Sequence, residues 1–122
     1  MYNDYSKFNN KNDENIKFKD IDIVVSIPIC SGLSLINTSK SRGANAEQND
    51  NMYNITTLAL EKIKPKCFIF ENAPALYTKS GALVVDNLFN IAKKNNYSMS
   101  LIKTDTFLHG IPQHRHRTFA IF

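Results

Sequence analysis

Apolar and polar positions along the chain fall into short blocks whose spacing changes from strand-like to helix-like and back. Asp22-Ile23-Val24-Val25-Ser26-Ile27 is a β-branched run without clean alternation, which predicts a first strand covered on both faces. Met52, Ile55, Leu58, Ala59 and Ile63 recur at helical spacing and Pro65 stops the pattern, predicting an amphipathic helix over 51–64. Cys67-Phe68-Ile69-Phe70 predicts a second strand, with Cys67 in the core. Val84, Leu88, Ile91 and Ala92 predict a helix over 81–95, and Tyr97 to Lys103 a third strand. His109-Gly110-Ile111-Pro112 is a turn, and Thr118 to Phe122 a last strand. The order strand-helix-strand-helix-strand-strand predicts an α/β fold on a parallel sheet with helical crossovers, where active residues gather at the carboxyl ends of strands.

Two stretches break the pattern. Residues 1–19 are dominated by Asn, Lys, Asp and isolated aromatics with no sustained period, which predicts a poorly ordered tail. Pro28 to Asp50 is rich in Ser, Gly, Asn and Lys and is long for a structureless connection, so it reads as a functional or disordered loop. With 122 residues there is room for one domain. The net charge of +4 eases approach to a phosphate backbone without by itself selecting nucleic acid as partner. Two cysteines, no secretory apolar segment and apolar runs far below the ~20 residues that cross a bilayer predict a soluble, cytoplasmic protein with no membrane partner.

Three segments sit where such a sheet gathers chemistry. Cys30, in Pro28-Ile29-Cys30-Ser31-Gly32-Leu33-Ser34, lies just past the first strand, where a loop of small residues can bring a thiol close to a ligand. It reads as a nucleophile or as a half-buried structural thiol. Glu71-Asn72 directly follows the second strand and would emerge at the same sheet edge, as a catalytic acid or as a turn or cap. Gln113-His114-Arg115-His116-Arg117 leads into the last strand, where alternation puts Gln113, Arg115 and Arg117 on one face and both His on the other. Guanidinium forks suit carboxylate, phosphate or base-edge oxygens; the alternative is an exposed basic turn. His109, His114 and His116 do not read as a metal site, because two Arg lie among them and repel a cation. A hydrolase built on Cys30 and His109 lacks an identifiable orienting group and oxyanion hole.

Taken together and in this order, the three segments resemble the cytosine-5 methyltransferase family. That family carries a Pro-Cys loop, then Glu-Asn-Val, then Gly-Val/Ile-Pro running into Gln-x-Arg-x-Arg. This chain has Pro28-Ile29-Cys30, Glu71-Asn72-Ala73 and Gly110 to Arg117, with 41 positions from Cys30 to Glu71 and 42 from Glu71 to Gln113. Ile29 and Ser31 stand where the family has Pro and Gln around the nucleophile, and Ala73 stands where it has Val. The resemblance covers residues 20–122 and implies part of a class I methyltransferase (Rossmann-like) catalytic domain. The family's Phe-x-Gly-x-Gly loop, the acidic residue that binds the cofactor with it, and the target recognition domain have no match here, so the cofactor-binding first half is expected to be missing.

What the resemblance implies is a role for each matched residue. Cys30, as thiolate, attacks C6 of an extruded cytosine, and C5 then accepts a methyl group from S-adenosylmethionine. Glu71 engages the ring N3 and exocyclic amine, which needs a carboxyl able to hold or share a proton. Arg115 and Arg117 hold the base O2 and brace the site, while Asn72 and Gln113 fix loop geometry. Pro28 and Ser34 are further substrate-side positions, and Ile29 and Met52 are the candidate contacts to the cofactor. The implied partners are DNA, with RNA an open alternative, and a complementing methyltransferase chain. The rival expectation is a catalytically silent truncated fragment that binds nucleic acid or a partner.

Overall fold

Strand β1 (Ile23–Ser26), helix α1 (Asp50–Thr57), strand β2 (Cys67–Asn72), helix α2 (Ala82–Lys94), strand β3 (Ser100–Asp105) and strand β4 (His116–Ile121) follow one another along the chain. They come from a computed structural model that describes residues 21–29, 32–33 and 49–122. The strands form one sheet in the order β1-β2-β4-β3. β1 and β2 run parallel, with Val24 opposite Phe68. β4 runs antiparallel to both of its neighbours, β2 and β3. The expected all-parallel sheet is therefore corrected to a mixed one. The reason is local: a short turn joins β3 to β4, and a parallel pair would need a crossover of about a dozen or more residues.

The helices end where the chain chemistry stops them. α1 buries Met52, Ile55 and Thr56, and beyond it the predicted helix continues with wider π-type turns over Leu58–Ile63. Lys64 then takes a left-handed conformation (φ 55) and donates its N–H to Ala59 O at 2.8 Å. Pro65 follows and has no N–H with which to continue. α2 starts against Gly81, where a β-carbon would run into the Ala75 carbonyl and lie 2.7 Å from Leu76 Cα. It closes with left-handed Asn96 (φ 62), Asn96 N–H on Lys93 O at 3.2 Å and Tyr97 N–H on Ala92 O at 3.0 Å. Tyr97 was expected to open β3, but its backbone closes α2 and its hydroxyl donates to Pro65 O at 2.6 Å, so β3 begins at Ser100.

Both helices feed one core. Alternation along β2 and β4 turns Phe68, Phe70, Asn72, Thr118 and Ala120 to the inner face. There Phe68, Phe70 and Ala120 join Met52, Ile55, Leu60, Val84, Leu88 and Ala92 in a single buried cluster. Each fully buried Phe or Leu in it contributes about 1.5–3 kcal/mol relative to exposure.

The outer face differs from expectation. Its residues in register are Ile23, Val25, Cys67, Ile69, Phe119, Ile121 and Ile102. Ile23 is 59% exposed and Val25 63%, so β1 is covered on one face only by the described residues. Cys67, expected in the core, is half-buried on this outer face because it precedes Phe68 in a strict two-residue alternation. Among the described residues no helix is long and apolar enough to cross a membrane.

Candidate active site

The carboxyl ends of β1 and β2 lie side by side, and Asn72 ties them together. Asn72 is the last residue of β2 and faces inward, fully buried. Its amide Nδ2 donates to Pro28 O at 3.3 Å and lies 3.6 Å from Met52 Sδ. Its Oδ1 accepts the Ala73 N–H at 2.9 Å. One buried amide thus fixes the segment leaving β1, the first helix and the turn after β2, and each lost bond would leave a polar group unpaired in the interior.

Glu71, one residue earlier, points to the opposite face by strand alternation. In register it sits across from Phe119, two residues along β4 from Arg117. Arg117 Nε lies 2.6 Å from Glu71 Oε1, and Arg117 NH1 donates to His116 O at 2.8 Å. The side chains are 27% and 17% exposed, shielded enough that water does not fully screen the pair. A carboxylate beside a guanidinium offers acceptor oxygens and N–H donors side by side, which suits a ligand that carries both a donor and an acceptor.

The remaining predicted positions fall elsewhere. β4 begins at His116, so the alternation expected over Gln113–Arg117 holds only for its last two residues, and Gln113 to Arg115 form an exposed turn. The backbone there is committed to the turn itself: Thr106 N–H donates to Arg115 O at 3.2 Å, and Thr106 Oγ1 to Gln113 O at 2.5 Å. The Arg115 side chain is exposed. Met52 is fully buried behind Asn72, whereas Ile29 is largely exposed. Cys30 and Ser34 lie outside the described residues. The structure therefore brings Pro28, Met52 and Asn72 together on the inner face of the sheet and Glu71 and Arg117 together on the outer face, and leaves Gln113 and Arg115 on the adjoining turn.

One residue here was not singled out from the sequence. Asp105, at the end of β3, accepts the Phe107 N–H at 3.0 Å and the Arg115 N–H at 3.1 Å on Oδ1. Its Oδ2 lies 2.9 Å from His114 Nδ1 and 3.2 Å from His116 Nδ1. The His114 hydrogen bond and the Phe107 N–H chiefly, with the Arg115 N–H and the nearby His116, hold its carboxyl down at about 2 against the opposing effect of burial. The available signal was an Asp placed just before a turn, where it can cap the N–H two residues on.

This geometry can be set beside that of known proteins. The family of C-5 cytosine-specific DNA methylases matches residues 1–122. The chain belongs to that family. Among curated relatives is the Type II methyltransferase M.AgeI of Thalassovita gelatinovora, 28% identical over 99 residues. The match takes in 81% of this chain but only 22% of that protein. Among solved structures, the Entamoeba histolytica methyltransferase EhMeth superposes with a TM-score of 0.64 at 24% identity, over 96% of this chain and 39% of that one. A prophage-encoded DNA modification methyltransferase of E. coli gives 0.65 at 23% identity, over 96% and 28%. The fold is thus that of part of a methyltransferase, and the chain spans about a fifth to two-fifths of these relatives' lengths.

Proposed function

We propose that residues 20–122 carry the base-holding and nucleophile-bearing part of a DNA cytosine-5 methyltransferase. In this reading Cys30 adds to C6 of an extruded cytosine while Glu71 and Arg117 hold the opposite edge of the ring. The observation that carries it is the Glu71–Arg117 pair at 2.6 Å, joined through Asn72 to Pro28, two residues before Cys30. Thiolate addition at C6 pushes an electron pair toward N3 and O2. A proton shared by Glu71 neutralises N3, and the Arg117 fork takes the charge at O2. Arg115 and Gln113 brace the site from the adjoining turn, and Ser34 lines the Cys30 loop.

The polymer is DNA, in keeping with the family, and a Type II relative makes a restriction-modification setting the natural context. S-adenosylmethionine is the donor that the family implies. Of the two candidate contacts to it, Met52 is sealed in the core and Ile29 is exposed, so among the described residues this pair does not build a site. A complementing methyltransferase chain is proposed to supply its site.

An oligonucleotide containing 5-fluorocytosine tests the reading, because it traps the adduct between thiol and base. With donor and a complementing methyltransferase chain present, the parent chain is expected to form a covalent adduct and Cys30→Ser none. Equal adduct from Cys30→Ser removes Cys30 as the nucleophile. No adduct from the parent favours a silent fragment that only binds nucleic acid or a partner.

A further inference from the structure

We propose that Asp105 is a positioning residue that sets Arg115 and Arg117 for the base, through a clasp whose two histidine partners make the positioning proton-dependent. The inference rests on the function proposed above. Its geometry is a single carboxylate, 14% exposed, that gathers both sides of the β3–β4 turn. Oδ1 takes the N–H of Phe107 on the outgoing side and the N–H of Arg115 on the returning side. Oδ2 takes His114 and His116, the residues that flank Arg115.

The consequence is a fixed register. Asp105 stands opposite His116 and Thr104 opposite Arg117 in the β3–β4 ladder, so a slip at the clasp would carry Arg117 away from Glu71. With its backbone N–H captured, Arg115 is held in place on the turn while the residue itself stays exposed. Two further contacts stiffen the turn. The Phe107 ring stacks on His114 at 4.7 Å between centroids, and Gly110 turns the chain in a left-handed conformation (φ 79) that disfavours a side chain.

The charged and titratable groups around the clasp have separate assignments. From the β4 side His114 and His116 face Asp105. Arg115 offers it a backbone N–H, Arg117 is turned to Glu71, and His109, from the turn, is bonded to Thr104 Oγ1 at 2.6 Å. Histidines ordinarily titrate between about pH 5 and 8. Over that range the Asp105 carboxyl stays ionised, so its hydrogen bonds to the imidazoles are already charge-assisted, and an imidazolium in place of an imidazole adds an ion pair to each. Without the carboxylate the same protons would place two imidazolium ions beside Arg115 and Arg117, and the segment would be pushed apart.

The test compares the full chain with Asp105→Asn and Asp105→Ala at pH 8 and pH 6. Two readouts are taken: the NMR signal of the Arg117 Nε–H, and the rate of 5-fluorocytosine trapping with donor and complementing chain. Asn keeps an oxygen for the Phe107 and Arg115 N–H groups and loses only the carboxylate's hold on the two imidazoles, so at pH 8 it is expected to fall slightly short of the parent. At pH 6 it should lose the sharp Arg117 signal and trap roughly tenfold more slowly, since a displacement of ~1 Å can cost up to about a hundredfold. Ala should show both losses at both pH values. If Ala fails to fold, the Asn comparison decides together with His114→Gln/His116→Gln added to Asp105→Asn, which is expected to remove the extra loss that Asp105→Asn shows at pH 6. An Asp105→Asn protein that matches the parent at pH 6 in both readouts overturns the proposal. Loss of the Arg117 signal in a chain whose parent never traps would keep the positioning role and count against the proposed function instead.

Discussion

Two carboxylates hold the segment that leads into β4, and they hold it by different chemistry. Glu71 grips Arg117 near the middle of the sheet, through a guanidinium that stays charged at any working pH. Asp105 grips the turn at the sheet's edge, through two imidazoles and two backbone N–H groups. The first contact involves the residues proposed to meet the base; the second holds the chain that presents them. A permanently charged partner suits a site that must keep one geometry, whereas titratable partners let the support respond to protons.

Removing Arg117 strikes the comparison hardest. Arg117→Ala is expected to lower trapping by about a hundredfold or more and to cost about 1–2 kcal/mol in urea unfolding, because Glu71 loses its charged hydrogen-bond partner. Arg117→Lys keeps the charge without the planar fork and should recover stability better than trapping. Equal losses of stability and trapping in both variants would make the pair structural.

Next in size is Asn72, buried on the inner face behind the strand that carries Glu71. Asn72→Ala should lower unfolding free energy by about 1–3 kcal/mol, leaving the Pro28 carbonyl and Ala73 N–H without their buried partner. Hydrogen exchange at Ala73 should rise with it; unchanged exchange would mean that water replaces the amide at no cost.

Acid distinguishes the two carboxylates more gently. Asp105 is depressed from its ordinary value near 3.8 to about 2, so its contribution to stability is complete above about pH 4 and is lost as pH falls through about 2. Acid unfolding followed by circular dichroism should therefore lose part of its pH dependence between 4 and 2 in Asp105→Asn. An unchanged profile would mean that the clasp is as strong protonated as ionised.

The smallest effect is expected at a third carboxylate, which serves as the exposed reference. Glu61 meets Lys94 at 3.1 Å on the surface, and that contact lowers its pKa chiefly through the hydrogen bond and charge of Lys94. Lys94→Ala should leave the melting temperature almost unchanged, and what difference there is should vanish in high salt. A drop as large as that of Arg117→Ala would erase the distinction between shielded and open pairs.

The sequence made much of this legible for a physical reason. β2 and α2 announce themselves because Phe68 and Phe70, and Val84, Leu88 and Ala92, repeat at the periods that bury one face. Glu71, Asn72 and Arg117 could be read because they sit at strand ends, where side chains gather whatever the packing. The pairing direction of β4 was not visible in the hydrophobic pattern, which is the same for parallel and antiparallel strands; the turn about Gly110 decides it. The exposure of Ile23 and Val25 was equally hidden, since a β-branched run does not say what lies over it. Asp105 went unnoticed because its importance lies in four partners that converge only after the chain has turned back. Cys30 and Ser34, read from the sequence, lie outside the described residues.

A crystal structure of the adduct formed with 5-fluorocytosine DNA and the complementing chain tests the central claim most directly. It should show the Cys30 sulfur bonded to C6, with the Glu71 carboxyl about 3 Å from N3 and the amine, and the Arg117 guanidinium about 3 Å from O2. A ring held by other side chains, with Glu71 and Arg117 still closed on each other away from it, would contradict the account.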